Sequence, residues 1–248
     1  DVAQVCSRLD GIPLALELAA ARLKTLNVEQ IHARLNDRFN LLTNGSRTLP
    51  HRHQTLKATI DWSYSSLSEQ EKALFLRLAV FTGGWSLEAA ESICSANGVE
   101  KKNIVDLIAD LVQKSLIHTV EFTGGIRYEQ LETLRQYGQE KFIASDEAEM
   151  LRNQHLHYFV DLAKQAEPEL RGPAQLKWFN LIEQEMGNLR SALRWAKETD
   201  KVAFLQLTSS LWLFFRSLEH KEEGIEWLSK AVEENKNIQT ELLSTAAA

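Results

Sequence analysis

The sequence is short of the residues that break helices. Its 248 residues include only 11 glycines and 4 prolines, which is below the usual share of both in globular chains. Leu, Ala, Glu and Lys, which favour helices, are abundant by comparison. This balance argues against a sandwich or barrel of short strands and predicts a mainly α-helical fold.

Cysteines, long apolar runs and an excess of basic charge are also missing. The two cysteines, Cys6 and Cys94, lie far apart and form neither a disulfide framework nor a zinc site. The apolar stretch Leu14–Leu23 is interrupted by Glu17, and a membrane-spanning helix needs roughly 20 mostly apolar residues. The 34 acidic residues outnumber the 28 basic ones, whereas a general nucleic-acid binder has a basic excess. We therefore expect a cytoplasmic protein with no membrane partner.

The motifs of common enzyme chemistry are absent as well. There is no GxxxxGK[ST] phosphate loop, no GxSxG nucleophile turn and no HExxH zinc motif. Gly83-Gly84 and Gly124-Gly125 are not followed by the lysine that a phosphate cradle needs, and we interpret them as turns. No further ligand lies at metal spacing from His51 and His53. We therefore expect no catalytic residue, no metal site and no cofactor in this chain, which is not an enzyme on this interpretation.

The first helical region covers residues 1–50 and consists of short segments. Asn27 followed by Gln30 has the pattern of a capping box at a helix start. Leu14–Leu23 is apolar on most faces, which predicts a buried helix. The chain begins with Asp1 and has no initiator Met, so we expect a piece of a longer protein.

The second region, residues 51–145, has helix signals followed by a hairpin signal. The predicted helix caps are Ser68, with Glu71 completing a capping box, Ser86 and Asn103. Two alternating segments, 116–122 and 126–131, flank Thr123-Gly124-Gly125 and predict a β-hairpin. Three helices followed by a hairpin indicate a winged helix.

The third helix of this winged helix is the one that would enter the major groove of DNA. Its predicted outer face has Asp106 and Asp110 one turn apart, with Lys114 further along. Two carboxylates facing phosphates are repulsive. We therefore expect a winged helix that packs against protein, without direct DNA contact by this helix.

The third region, residues 146–248, is predicted to contain helices in series. One of them is predicted to run without a break from Leu176 to Lys197, and two more cover about 202–218 and 222–235. Residues 222–233 match the second helix of a tetratricopeptide repeat, and serial helical hairpins suggest stacked repeats.

A run of five apolar residues, Leu211–Phe215, lies within these helices. One helix cannot hide five consecutive apolar side chains on one side. We predict that some of them face a partner, another subunit or a ligand. The predicted partner-binding residues are Trp212, Leu213 and Phe214, with Arg216 beside them to anchor an acidic group.

Several separate motifs occur in the order found in one family. Residues 6–23, which include Gly11-Ile12-Pro13, resemble the GxP region at the end of the NB-ARC module of STAND-type signalling ATPases. Residues 52–64 and 81–85 resemble stretches of bacterial STAND regulators of the LuxR, SARP and adenylate-cyclase-associated kinds. Residues 131–137 follow the hairpin as they do in those proteins. The resemblance covers about residues 1–235.

This resemblance implies a fold and a mechanism. The fold is a helical subdomain (1–50), a winged helix (51–145) and TPR-like repeats (146–248). In the family, an upstream P-loop domain binds ATP or ADP with Mg²⁺, and the parts present here hold it in its resting state. The repeats sense a protein or small-molecule inducer, and release allows nucleotide exchange and assembly, including assembly of identical copies. Without the P-loop, this chain alone cannot hydrolyse ATP.

Two family positions can be transferred to this sequence. Pro13 matches the proline that packs near the adenine and sugar of the nucleotide. Leu131 stands where the family has the histidine of its MHD motif, which touches the terminal phosphate of ADP, and Glu132 stands at the aspartate. Leucine cannot donate a hydrogen bond to phosphate, which leaves open whether the winged helix senses phosphate.

Two other classes of function compete with the regulator. The chain is alternatively a DNA-binding winged-helix protein with a helical dimerisation region, for which salt-sensitive binding of duplex DNA would be diagnostic. An enzyme would need a catalytic constellation in a deep pocket, and the sequence offers none. The inducer, the output domain and the oligomeric state are not indicated by any pattern.

Overall fold

The computed structural model describes residues 2–9, 16, 19–20, 23, 26–35, 56–122, 125–143, 146–216 and 220–234. The helices are α1 (Val2–Arg8), α2 (Val28–Arg34), α3 (Leu56–Ser65), α4 (Glu69–Leu78), α5 (Leu87–Ile93) and α6 (Ile104–Gln113), followed by the strands β1 (His118–Phe122) and β2 (Gly125–Glu129). The chain continues with α7 (Glu132–Ile143), α8 (Ala148–Glu169), α9 (Gln175–Gln184), α10 (Met186–Thr199), α11 (Lys201–Ser210), α12 (Trp212–Phe215) and α13 (Lys221–Glu234). The predicted mainly α fold with a short β-hairpin is confirmed.

The chain divides by packing into two units. Unit 1 is Asp1–Ala79 together with Ala96–Ser145, and unit 2 is Val80–Ser95 together with Asp146–Ala248. Helix α5 therefore packs with the later helices, although it lies between α4 and α6 in the chain. The domain boundaries predicted after residues 50 and 145 stay predictions.

Side-chain caps fix several helix starts where the sequence places them. The capping boxes of Asn27 and Ser68 are both complete, and the Ser86 hydroxyl accepts the Ala89 amide at 3.2 Å. The cap predicted at Asn103 is wrong. Its side chain makes no capping bond and its backbone is already helical, because a 3₁₀ turn over Lys101–Asn103 leads directly into α6.

The core of unit 1 is built around α4, which packs against α6 and α7. The Tyr137 hydroxyl donates to Asp61 at 2.6 Å, which ties α7 to α3. The rings of Tyr64 and Phe75 pack against the ring of Tyr137. In β1 and β2, which form an antiparallel hairpin, the register runs from His118 opposite Glu129 to Phe122 opposite Gly125.

Unit 2 is organised around α8, the 22-residue helix that packs against α5, α9, α10 and α11. Its inner face contributes Leu156, Phe159 and Ala163, all buried. Helix α11 packs in turn against α13, and α12 packs against both of them. The helices of unit 2 therefore form one continuous apolar core.

The single helix predicted over Leu176–Lys197 is wrong. The structure ends α9 at Gln184 and begins α10 at Met186. The break lies at Glu185, which has near-zero ψ and a buried side chain that accepts a hydrogen bond from Asn188 at 2.7 Å. Gly187 lies just after the break, in the first turn of α10, but Glu185 itself is not a helix-breaking residue.

Candidate functional site

The helix that would read DNA, α6, buries one face and exposes the other. The predicted inner face is confirmed, and its buried residues are Ile104, Leu107, Ile108 and Leu111. Asp106 and Asp110 are both exposed, as is Val105. The outer face of α6 is therefore acidic with an apolar residue at its start.

The lysine that follows α6 is engaged inside unit 1. The Lys114 ammonium donates to the buried carboxylate of Glu71 in α4. Burial on its own raises the pKa of Glu71, but the hydrogen bonds from Lys114 and from Ser68 outweigh it and leave the pKa below its ordinary value. Lys114 is itself exposed, but its charge is paired with the buried carboxylate of Glu71.

Two further lysines lie at the opposite end of this helix. Lys101 and Lys102 are exposed in the 3₁₀ turn just before α6. Lys102 pairs with the exposed Glu100 at 2.7 Å. They directly precede the end of α6 that enters the major groove in helix-turn-helix proteins.

The hairpin presents few basic groups in its described residues. Arg127 is buried, and His118 pairs with Glu129 across the strands at 3.2 Å. Glu121 and Ile126 are exposed opposite each other near the end of the hairpin. Like α6, the strands therefore expose acidic and apolar side chains.

A loop at residues 82–85 (Thr82-Gly83-Gly84-Trp85, the 82–85 loop) is fastened to the start of α10. Asn188 accepts the Thr82 amide at 2.7 Å and donates to the Gly84 carbonyl at 2.9 Å. Gly83 and Gly84 have φ of 82° and 86°, values that favour glycine. The sequence interpretation of these glycines as a turn is confirmed, and what it missed is the partner, Asn188.

The same attachment requires a glycine on the helix side. A Cβ atom on Gly187 would lie 2.3 Å from the Thr82 carbonyl oxygen. The ring of Phe81, which precedes the loop, stacks at 5.3 Å on the ring of Trp85, its last residue, and His155 of α8 packs against Phe81. Contacts with α8 and α10 thereby hold the loop in place.

The predicted partner-binding residues do not share one environment. Phe214 is fully buried, with the rings of Phe179 and His220 at 4.8 and 4.7 Å. Trp212 and Leu213 are half-buried and Arg216 is exposed. In this structure, therefore, Trp212, Leu213 and Arg216 are the members of the group with accessible surface, and their partner-binding role stays a prediction.

The remaining predicted positions give no site in the described part of the chain. Pro13, His51, His53 and most of the segment 14–23 lie outside the described residues. Leu131 is half-buried, and the Glu132 carboxylate accepts two hydrogen bonds from Arg135 at 2.7 and 2.8 Å. Within the described ranges, no group of three His, Cys, Asp or Glu residues could hold a metal ion. Nor does any helix there have the length and apolar character to cross a membrane.

Comparison with known proteins agrees with the order of elements. Residues 67–142 match the family described as "Winged helix-turn-helix domain". The matched range contains α4, α5 and α6, the hairpin of β1 and β2, and nearly all of α7. The matched residues contribute to both packing units, because α5 belongs to unit 2.

The chain also has relatives of much greater length. Proteins of Mycobacterium tuberculosis and Mycobacterium bovis named "Putative HTH-type transcriptional regulator" are 38% identical to it over 239 residues, which are 95% of this chain and 26% of each relative. Proteins of the same two species named "Uncharacterized protein" are 42% identical over 149 residues, 60% of this chain and 38% of the relative. The chain thus spans about a quarter of the length of the regulators that it matches.

Proposed function

We propose that this chain is a regulatory part of a transcriptional regulator, and that its winged helix contacts protein and does not read DNA. The observation that carries the second statement is the outer face of α6. Asp106 and Asp110 are exposed there, and Lys114 is engaged by Glu71. A recognition helix of this charge would repel the phosphates that supply most of the affinity for DNA.

Transcriptional regulation as the wider process is supported by two comparisons. One is the match to the winged helix-turn-helix family, and the other is the similarity to the mycobacterial proteins named as regulators. The attachment of the 82–85 loop to α10 supports a regulatory role for unit 2 as well. It connects the helix-turn-helix segment with the helices that we propose to receive the signal.

The resemblance to STAND-type regulators extends this proposal to the whole protein. We propose that an upstream P-loop domain binds ATP or ADP with Mg²⁺, and that an inducer acts on the helices of unit 2. The length of the relatives leaves room for such a domain. A GxxxxGK[ST] segment in a strand-to-helix context upstream of Asp1 would support it, and its absence would contradict it.

Direct binding of DNA is the second candidate function. It is favoured by the helix-turn-helix match and by the exposed Lys101 and Lys102 before α6. These two lysines lie where the N-terminal residues of a recognition helix contact DNA. In this case the acidic face of α6 would point away from the phosphates.

Fluorescence anisotropy with labelled duplex DNA separates the two candidates. We expect no saturable binding by the 248-residue chain at physiological salt, and binding by the Asp106→Lys, Asp110→Lys double variant, because the repulsion is then reversed. Tight binding by the unaltered chain that weakens with salt and is lost in Lys101→Ala, Lys102→Ala would establish the second candidate. The double variant Glu198→Lys, Glu222→Lys, at exposed positions of α10 and α13, makes the same change of charge away from α6 and controls for charge alone.

A further inference from the structure

We propose that unit 2 contains a binding site for a small, hydroxyl-rich molecule that is not an anion. A cavity of about 420 Å³ opens where α5 meets α8, a volume within the range of small-molecule sites. Ser92 lines it from α5, and Gln154, His157, Tyr158, Asp161 and Gln165 line it from α8. Except for Leu162, every lining residue has a polar group.

Several polar groups of this cavity, most of them on exposed side chains, make no hydrogen bond within the fold, whereas Tyr158 and Asp161 have contacts of their own. Gln154 makes no hydrogen bond to the described residues, and its Oε1 atom is buried without a partner. The side chains of Ser92, His157 and Gln165 likewise have no hydrogen-bond partner among the described residues. Leaving a buried carboxamide oxygen unpaired costs about 1–3 kcal/mol. A bound molecule that pairs with the Gln154 carboxamide would recover this cost.

The types of these groups define the class of ligand. Carboxamides and hydroxyls both donate and accept hydrogen bonds, so they suit a molecule that has several hydroxyl groups. Asp161 accepts only, and its carboxylate disfavours an anion. Lys164 lies 3.7 Å from Asp161, but both side chains are well exposed, and such surface pairs are weak. The ring of Tyr158 offers an apolar surface for the C–H side of a cyclic molecule.

The cavity lies between two helices, so a ligand bound in it would contact both α5 and α8. Ser92 belongs to the helix-turn-helix segment, whereas the other lining residues belong to α8. A ligand that contacts both helices stabilises the packing of α5 on α8, because it binds only when they are together. This consequence, unlike the site itself, rests on the proposed function of the winged helix.

Nuclear magnetic resonance titration of the ¹⁵N-labelled 248-residue chain tests the site. The probes are three sugars with the same ring, namely glucosamine in slightly acidic buffer, glucose and glucuronate. We expect saturable shifts at the amides of Ser92, Gln154 and Gln165 with the cationic and neutral sugars, and the weakest binding with glucuronate. If none of the three sugars gives saturable shifts at these residues, the proposal is wrong.

Variants of the lining residues make the test specific. Gln154→Leu should weaken glucose binding on the order of tenfold, and Asp161→Asn should remove the preference for glucosamine over glucuronate. Gln175→Leu and Glu198→Gln change exposed residues outside the cavity and should leave both properties intact. If Gln154→Leu does not fold, Gln154→Asn keeps the carboxamide but shortens its reach. Unchanged affinities in the folded variants would overturn the site, whatever the DNA measurements give.

Discussion

His155 is a titratable ring sealed inside unit 2. It packs between Phe159, with ring centres 4.6 Å apart, and Phe81, and its Nε2 atom has no hydrogen-bond partner. Burial lowers the pKa of His155 to about 4, and the hydrogen bond with Asn188 opposes that shift only in part. His157, two residues along the same helix, is exposed.

This burial predicts a loss of stability in acid. The ordinary pKa of the ring is 6.5 and its folded value is about 4, so the unfolded chain binds the proton more readily between these two pH values. The contribution of neutral His155 is complete above about pH 6.5 and is lost as the pH falls toward about 4, by about 3 kcal/mol in total. We expect His155→Phe to remove this part of the pH dependence in urea unfolding followed from pH 7 to pH 4.

A control variant makes the result interpretable, since carboxylates also titrate in this range. Gln175→Leu, which changes an exposed and uncharged residue, should keep the pH dependence of the unaltered chain. Equal slopes of unfolding free energy against pH in His155→Phe and the unaltered chain would show that His155 is not held neutral.

At the scale of elements, the junction between the 82–85 loop and α10 depends on a close approach. Gly187→Ala would place a Cβ atom 2.3 Å from the Thr82 carbonyl oxygen, so the loop must move away from Asn188. We expect the variant to lose about 1–3 kcal/mol of unfolding free energy, as other overpacked sites do. Hydrogen exchange at the Thr82 amide should accelerate, because that amide is bonded to Asn188.

Gly172→Ala provides the matched control for this prediction. A Cβ atom on Gly172 would lie 3.6 Å from its nearest neighbour, the Glu169 carbonyl oxygen, which is ordinary contact. We expect little change in stability and no change in exchange at Thr82. If both glycine variants behave alike, the close approach at Gly187 does not hold the loop.

The sequence predicts best the features that depend on neighbouring residues. The capping boxes at Asn27 and Ser68, the inner face of α6 and the hairpin all follow from residues a few positions apart, and all are confirmed. The role of Asn188 depends on residues about 100 positions away, at Thr82 and Gly84. Periodicity and spacing contain no information about such a contact.

Contacts between distant residues also decide the burial of the apolar run Leu211–Phe215 and the formation of the cavity. The sequence identifies Leu211–Phe215 as too apolar for one helix face, but which of these side chains is buried depends on α9 and α13. The rings of Phe179 and His220 enclose Phe214, and Phe179 comes from α9, far from Phe214 in the chain. The cavity was missed altogether, because Ser92 and Gln154 become neighbours only through the packing of α5 on α8.

At the scale of the whole molecule, Phe214 is fully buried whereas Trp212 and Leu213 are half-buried, so stability and partner binding can be tested separately. Phe214→Ala should cost about 3–5 kcal/mol, because it empties a buried site. The double variant Trp212→Ala, Leu213→Ala should cost less and remain folded, because both side chains are half-buried. Thermal unfolding measures the loss of stability in both variants. Size-exclusion chromatography and the inducer response of the longer protein measure partner binding by the folded double variant.

Either outcome of that second measurement is informative. Loss of assembly or of the inducer response in the folded double variant would identify this surface as the partner site. If assembly and response are unchanged in a folded double variant, Trp212 and Leu213 do not bind the partner. In that case the exposed Ile225 of α13 would be the next apolar position to test.

Unit 2 is built from two separate stretches of the chain, residues 80–95 and 146–248, which limits where the protein can be divided. A protein expressed from residue 146 onward would contain Asn188 and His155, but it would lack Thr82, Gly84 and Phe81, which pack against them. The part ending at residue 145 would contain α5 without α8. A gene cut at this point yields two incomplete products, and a shortened protein that keeps unit 2 whole has to retain residues 80–95.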